Sequence, residues 1–329
     1  MTAAGPFETL SALVADDMER VNGLIRDRMG SDHAPRIPQV TRHLVEAGGK
    51  RLRPILTLAA ARLCGYAGEH HVRLAATVEF IHTATLLHDD VVDESARRRG
   101  RPTANLLWDN KSSVLVGDYL FARAFLLMVE TGDLRVLEIL ASASAVIAEG
   151  EVLQLSIAGD IAAADAAYLQ MIHGKTAALF EAATEVGGVI AGAGEARTAA
   201  LRDYGRALGM AFQIADDLLD YGGASAALGK NVGDDFREGK ATMPVLIAFS
   251  RGSQEDRDFW RRVIEMRDQR EGDLDAALAR LRASGALEET ARRARAYAAQ
   301  ARGALAPLPE SEIRAALAEV ADFVVSRLS

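Results

Sequence analysis

Two short aspartate clusters carry the chemistry open to this chain. The first, Asp89-Asp-Val-Val-Asp93, ends a stretch that begins at His82 and stays largely apolar up to the acids. Nothing before Gly100 breaks a helix, so at about 100° per residue Asp89 and Asp93 fall one turn apart on one face. Val78, His82, Thr85, Leu86, Asp89 and Asp93 then form one stripe, apolar at one end and acidic at the other. Like charges at this spacing repel, and Asp90 and Glu94 add to the repulsion. A hard divalent cation taking carboxylate oxygens would offset it. The second cluster, Asp216-Asp-Leu-Leu-Asp220, repeats the pattern, with Gly209, Gln213, Asp216, Asp217 and Asp220 on one helical face. One such cluster reads equally well as a solvated helix end. Two, each closing an apolar stripe, point to metal.

The cations are grouped as well. Gly48-Gly-Lys-Arg-Leu-Arg-Pro54 places Lys50, Arg51 and Arg53 on a flexible turn ahead of a helix, which suits an anion or an ordinary charged loop. Arg97, Arg98 and Arg99 follow the first acid cluster. His173-Gly-Lys-Thr-Ala177 lacks the glycine-rich turn of a Walker loop and is expected to be a kinked or loosened helical turn that presents Lys175. Lys230 and Lys240 bracket a charged, glycine-rich stretch at 228–244, expected to be a mobile loop. Magnesium tends to bridge protein carboxylates to phosphates, so a diphosphate is the natural ligand. Arg98, Lys175, Lys230 and Lys240 would complete its neutralisation and make it a better leaving group. A carbocation left behind on an allylic carbon needs a dry apolar cavity, which the apolar stripes would line. Lys50, Arg53 and Arg99, with His82 near, would hold a second, metal-free diphosphate.

The elements that must position these groups are helical throughout. Half of the residues, 49%, are hydrophobic but only 5% aromatic, in a chain of 329 residues rich in Ala, Leu, Arg and Glu. Helices are expected from Glu8 to about Met29, Val40 to Glu46, 55–66, 71–95, beyond Pro102, Leu134 to Leu155, 165–190, through the second acid cluster, and from Glu255 onward. No strand-like alternation and no linker appear, so 1–329 reads as one all-α domain with a frayed start at 1–6. The net charge of −8 argues against general nucleic-acid binding. No uncharged apolar run reaches the length of a membrane span. The single cysteine, Cys64, fits a reducing compartment, hence the cytoplasm.

The motifs GGKRLRP at 48–54, HTATLLHDDVVDESARRRG at 82–100, HGKTA at 173–177, FQIADDLLD at 212–220 and LGKNVGDDFREGKATMP at 228–244 together resemble those of the trans-polyprenyl diphosphate synthases. The resemblance runs from about Leu10 to the C-terminus. It implies an all-α bundle around a deep central cavity, usually a homodimer. The implied reaction is head-to-tail condensation of isopentenyl diphosphate onto an allylic diphosphate such as geranyl or farnesyl diphosphate. By motif position, Asp89, Asp93, Asp216 and Asp217 would bind Mg²⁺, three ions per site, with Asp90 and Asp220 supporting. Lys50, Arg53, His82 and Arg99 would hold isopentenyl diphosphate. Arg98, Lys175, Lys230 and Lys240 would grip the allylic diphosphate, and Thr176 and Gln213 would face the carbocation. Ala96-Arg97 departs from the usual acid and apolar pair, leaving open which two of the three arginines touch phosphate.

Short-chain relatives block the cavity with aromatics one turn before the first acid motif. Ala84 and Thr85 stand there and are small, so a long product of about C40–C50, of the quinone side-chain kind, is expected. A bulky residue deeper down, such as Phe121, Phe125 or Met128, would stop it near four units instead. A terpene cyclase and a non-catalytic partner subunit are the rival readings. The intact second aspartate motif and GGKRLRP weigh against the former, and the complete set of six aspartates against the latter. A ferritin-like metal bundle lacks its Glu-x-x-His pairs.

Overall fold

The computed structural model describes residues 5–46, 48–157, 159–162, 165–222, 233–326 and 328. Its backbone contacts group into two compact units. One comprises the chain up to Ser144 with Ala182–Arg202 and Pro307–Arg314; the other comprises Ala145–Glu181, Asp203–Ala306 and the residues from Ala315 onward.

In the first unit, α1 (Pro6–Leu13) and α2 (Ala15–Arg28) replace the single helix expected over Glu8–Met29. Val14 interrupts it at φ −125°, yet Leu10, Val14, Met18, Val21, Ile25 and Met29 remain one buried stripe. Helix α3 (Arg36–Glu46) starts before the expected Val40. Pro38 lies in its first turn, where an N–H has no intrahelical partner to lose. Helix α4 (Leu52–Leu63) carries Pro54 in the same way and is buried almost throughout.

Helix α5 (His70–Val92) is the core element. It contains neither Gly nor Pro, and Leu74, Val78, Phe80, Ile81, Ala84 and Leu87 are fully buried. Each of its large apolar side chains contributes about 1.5–3 kcal/mol by leaving water. A helix apolar on several faces belongs in a core. Asp17 of α2 ties it to its neighbours: Arg62 of α4 grips Asp17 through two nitrogens (2.6 and 2.8 Å), and His71 of α5 approaches it at 3.0 Å.

Helix α5 ends at Val92, earlier than expected. Ser95 N–H reaches the Asp90 carbonyl (3.0 Å) and Glu94 N–H the Val91 carbonyl (3.3 Å), a Schellman closure with Glu94 left-handed at φ 50°. The sequence hid this stop, because glycine ordinarily fills that position. Asp93 caps the helix, and its N–H still bonds the Asp89 carbonyl at 2.8 Å, so the two acids do sit one turn apart. The chain then makes a two-residue antiparallel pair, β1 (Arg97–Arg98) and β2 (Arg101–Pro102), where no strand was expected. The turn is made by Arg99 and Gly100, both at positive φ.

Beyond α6 (Ala104–Leu107), α7 (Asn110–Val129) packs along α5. Asp109 caps α7 by accepting from Ser112 N–H at 2.6 Å. Gly117 lets the helices close up, since a Cβ there would fall 2.2 Å from His88 Nε2. Helix α7 is long and apolar enough to cross a membrane by length and composition, although Lys111, Asp118 and Arg123 interrupt it. Its buried face meets α5, and its other face exposes Val114, Leu115, Phe125, Leu126 and Val129. Helix α8 (Leu134–Ile157) begins in this unit.

The chain continues with α9 (Asp165–Ile172) and a π-helical turn at His173–Ala177, both in the second unit, then α10 (Ala178–Ile190) and α11 (Glu195–Tyr221), of which residues 182–202 belong to the first unit. The π turn is the loosened segment expected from HGKTA. Small residues surround it. A Cβ on Gly150 of α8 would lie 2.7 Å from Lys175 N, and one on Gly209 of α11 would lie 2.6 Å from Ala177 Cα. These close approaches bring Thr176 to α11. After Tyr221, α12 (Asp234–Arg237), α13 (Met243–Arg251) and α14 (Gln254–Trp260) follow, and a second π turn spans Arg261–Glu265. Residues 233–240 thus hold a helical turn within the stretch expected to be a loop. Lys230 and its neighbours at 228–232 lie outside the described residues. The chain closes with α15 (Asp273–Ala283), α16 (Ala286–Ala304) and α17 (Glu312–Ser326).

Candidate active site

A basic pocket in the first unit is lined by Arg51, Glu79, Thr83, Asp90, Arg98 and Arg99, with the backbone of Gly48 at its edge. Arg51 enters from the turn before α4 in a left-handed conformation (φ 51°) and pairs with Glu79 of α5. Arg53 lies against His82, with Nη1 3.2 Å from the imidazole Nε2. Burial, and then the guanidiniums of Arg53, Arg99, Arg98 and Arg51, hold the His82 pKa well below its ordinary value, so the ring is neutral at pH 7. Arg99 leans over Gly49, where a Cβ would lie 2.6 Å from Nη1. Arg53, His82 and Arg99 therefore converge as expected. Lys50 is exposed instead, with Nζ 5.9 Å from the centre of the Phe7 ring. Arg51 takes the place beside the pocket.

The first acid motif borders this pocket, and its members differ in surroundings. Asp89 is half-buried and Asp93 exposed, while Asp90 is fully buried. Asp90 Oδ1 accepts from Arg98 Nε at 2.8 Å, and its Oδ2 is buried without a hydrogen-bond partner. Burial raises the Asp90 pKa, Arg98 opposes the shift and Asp93 reinforces it. Arg98 is thus fastened to the acid motif, while Arg99 is the one that reaches Gly49.

In the second unit, Thr176 Oγ donates to Gln213 Oε1 (2.7 Å), and Gln213 Nε2 donates to Asp217 Oδ1 (2.7 Å). The buried Tyr168 hydroxyl donates to Asp217 Oδ2. Burial pushes the Asp217 carboxyl up to about 6 even though both donors pull it down. Asp220 accepts from the backbone N–H groups of Asp234 (3.2 Å) and Asp235 (3.0 Å), pinning α12 to the end of α11. Asp216 is exposed. Lys175 Nζ lies 3.1 Å from Glu151, and Lys240 Nζ lies 2.6 Å from Glu238 and 3.8 Å from Asp235.

The donor set suits a hard divalent cation, since it consists of carboxylates whose charges oppose one another. Asp235 records this opposition: burial, then Asp217, Asp220 and Asp216, push its carboxyl up to about 8 against the pull of Lys240. Among the described residues no three potential ligands converge to metal-binding distance. Asp90 is held by Arg98, Asp217 by Tyr168 and Gln213, and Asp220 by backbone amides. Asp89, Asp93 and Asp216 are solvent-accessible.

Sequence reasoning missed Glu79, Tyr168 and Asp235. Glu79 left a signal, a lone acid inside an apolar helix one turn before His82. Asp235 stood in the quoted GDDF run with nothing to set it apart from Asp234. Ala84 is fully buried, and Thr85 is half-buried with its hydroxyl on the His82 carbonyl (2.8 Å). Of the three bulkier candidates, Phe121 stacks on His88, Met128 is buried, and Phe125 is exposed.

Comparison with known proteins agrees with this architecture. The polyprenyl synthetase family model matches residues 34–281. The chain is 47% identical to the octaprenyl diphosphate synthase of Escherichia coli over 98% of its own length and 99% of the relative's. A decaprenyl diphosphate synthase structure from Rhodobacter capsulatus superposes with a TM-score of 0.95 at 65% identity, covering 98% and 99% of the two chains. A Caulobacter crescentus polyprenyl synthase, complexed with calcium and isoprenyl diphosphate, superposes at 0.93 with 56% identity and full coverage of both. The fold is the all-α isoprenoid synthase fold, and the protein is a prenyltransferase. The chain belongs to the polyprenyl synthetase family.

Proposed function

We propose that this enzyme adds isopentenyl diphosphate, head to tail, to an allylic diphosphate and releases an all-trans product of about C40–C50. Identity of 47% and 65% to octaprenyl and decaprenyl synthases across almost the whole chain carries this reading. The buried Ala84 and the small Thr85 support it, because neither obstructs a growing tail one turn from Asp89. A quinone side chain is the destination suited to such a length.

Asp89, Asp93, Asp216 and Asp217 would hold the magnesium ions, three in the loaded site. Bound magnesium supplies charge that stabilises the departing diphosphate. Asp90 and Asp220 serve the same motifs as anchors of Arg98 and of α12. Lys175, Lys230, Lys240 and Arg98 bind the allylic diphosphate. Thr176 and Gln213, already joined by a hydrogen bond, present dipoles to the allylic carbocation. Arg51, Arg53, Arg99 and the neutral His82 bind isopentenyl diphosphate, with Lys50 swinging in from solvent. The allylic C–O bond breaks to leave the carbocation and pyrophosphate, the double bond of isopentenyl diphosphate adds to that carbocation to form the new C–C bond, and pyrophosphate takes the proton whose C–H electrons re-form a double bond in the product.

The enzyme works as a homodimer. The exposed Leu106 and Leu107 of α6 and Leu115, Leu126 and Val129 of α7 support this, because exposed apolar side chains that share an element mark interaction surfaces. Leu115→Glu should shift the sedimentation profile to monomer. The half-buried Cys64 suits a reducing cytoplasm. Incubation of the purified protein with farnesyl diphosphate, excess isopentenyl diphosphate and Mg²⁺ should give products of C40 or longer. An end point at C20 would overturn the long-chain reading, and no product at all would favour a partner subunit.

A further inference from the structure

The basic pocket contains an acid that the reaction does not require. Glu79 is only 7% exposed and sits among Arg51, Arg53 and Arg99. Arg51, Arg53, Arg98 and Arg99 stand here with Glu79 and Asp90, so Glu79 lowers the positive charge available to a bound anion. A pocket selected only for positive potential would not bury a carboxylate at its base.

We propose that Glu79 is a positioning residue of the isopentenyl diphosphate pocket: its carboxylate gathers the guanidiniums of Arg51, Arg53 and Arg99 into a cradle of fixed shape before the substrate arrives. The proposal rests on the assignment of this pocket to isopentenyl diphosphate. The first support is backbone strain. Arg51 and Arg99 both hold φ 51°, a conformation that costs a side chain energy and persists where the surroundings fix it. Both line the same pocket, and Arg51 pairs with Glu79. The second is electrostatic. Arginines this close repel, and Arg53 is itself buried, which draws its pKa down to about 10; Glu79 opposes that shift while Arg99 adds to it. Burial raises the pKa of Glu79, and Arg51, Arg53 and Arg99 pull it back. The third is rigidity. Glu79 projects from the middle of α5, a helix held by a buried apolar stripe, whereas Arg51 stands on the turn before α4 and Arg99 on the β1–β2 turn. The helix therefore provides the fixed point and the turns conform to it.

The test separates shape from charge. Glu79→Gln keeps the volume but adds one unit of net positive charge. If Glu79 served only to lower the potential, the variant would bind a diphosphate more tightly. If it positions the arginines, the variant binds more weakly. Titration calorimetry with isopentenyl diphosphate in buffer containing chelator reads this pocket without the metal site. The expected result is a Kd raised about tenfold in Glu79→Gln and partly restored in Glu79→Asp, with the KM for isopentenyl diphosphate raised in parallel. The KM for the allylic diphosphate should stay within twofold. An unchanged or tighter Kd overturns the proposal. Should Glu79→Gln fail to fold by circular dichroism, Glu79→Asp, which keeps the charge and withdraws it by one methylene, takes its place with an expected loss of a few-fold, and an unchanged Kd overturns the proposal there too. Arg53→Ala is the control on the pocket itself: if it leaves binding untouched, the assignment of the pocket is wrong and the proposal falls with it.

Discussion

Replacing Asp235 with asparagine should change how the metal-free enzyme responds to pH. Burial and the neighbouring Asp217, Asp220 and Asp216 push the Asp235 carboxyl from 3.8 to about 8. Between those values the folded chain keeps a proton that the unfolded chain has lost. Stability conferred by the protonated form is therefore lost as pH rises through this window, and the loss levels off above about 8. Each pH unit within it removes about 1.4 kcal/mol, so wild type should lose about 2–3 kcal/mol between pH 6 and pH 8 from this group. Asp235→Asn cannot ionise and is spared that loss. Comparing the two proteins at each pH cancels the titrations of groups that do not interact with Asp235. Those include His71 and His82, whose lowered pKa values make stability rise with pH up to the unfolded histidine value. Urea unfolding in chelator at pH 6, 7 and 8 should show the variant gaining on wild type by about 1 kcal/mol or more per pH unit. Magnesium with pyrophosphate should flatten the wild-type slope, because a bound cation favours ionised carboxylates. A difference that stays constant from pH 6 to 8 would show that Asp235 is not buried against its fellow acids as described.

Asp89→Ala and Asp216→Ala should each reduce turnover by orders of magnitude with helical circular dichroism unchanged; a loss of only a few-fold would remove them from the metal site. Ala84→Phe or Thr85→Phe should shorten the product while sparing the first condensation, read by chromatography of the hydrolysed products, and unchanged length in both would take them off the cavity wall. Arg98→Ala leaves Asp90 buried without its counter-ion and should destabilise by about 3 kcal/mol at pH 7, the low end for a buried pair because Arg98 itself is partly exposed. Burial raises the Asp90 pKa, so the loss should shrink as the pH is lowered and Asp90 takes up a proton; a loss that does not change with pH would mean that the pair contributes nothing specific.

Local sequence specified most of the helices and both acid motifs. The buried stripe from Leu10 to Met29 follows from spacing alone, and so does the one-turn offset of Asp89 and Asp93. HGKTA gave notice of a loosened turn because it places glycine beside a lysine within an apolar run. Errors fell where the backbone left the expected residue code. Helix α5 stops through a left-handed Glu94, and Pro38 opens α3 instead of preceding it.

The types and spacing of the aspartates, arginines and glycines thus came from the chain itself, because an i,i+4 relation within a helix needs no partner from elsewhere. Which carboxylates stay accessible was decided only by tertiary packing. Asp90 is occupied by Arg98, Asp217 by Tyr168 and Asp220 by the backbone of α12, while Asp89, Asp93 and Asp216 remain in contact with water. Packing also recruited Glu79 and Asp235, and chose Arg51 over Lys50 for the pocket. Burial and ion pairing depend on residues far away along the sequence, so no local pattern could reveal them.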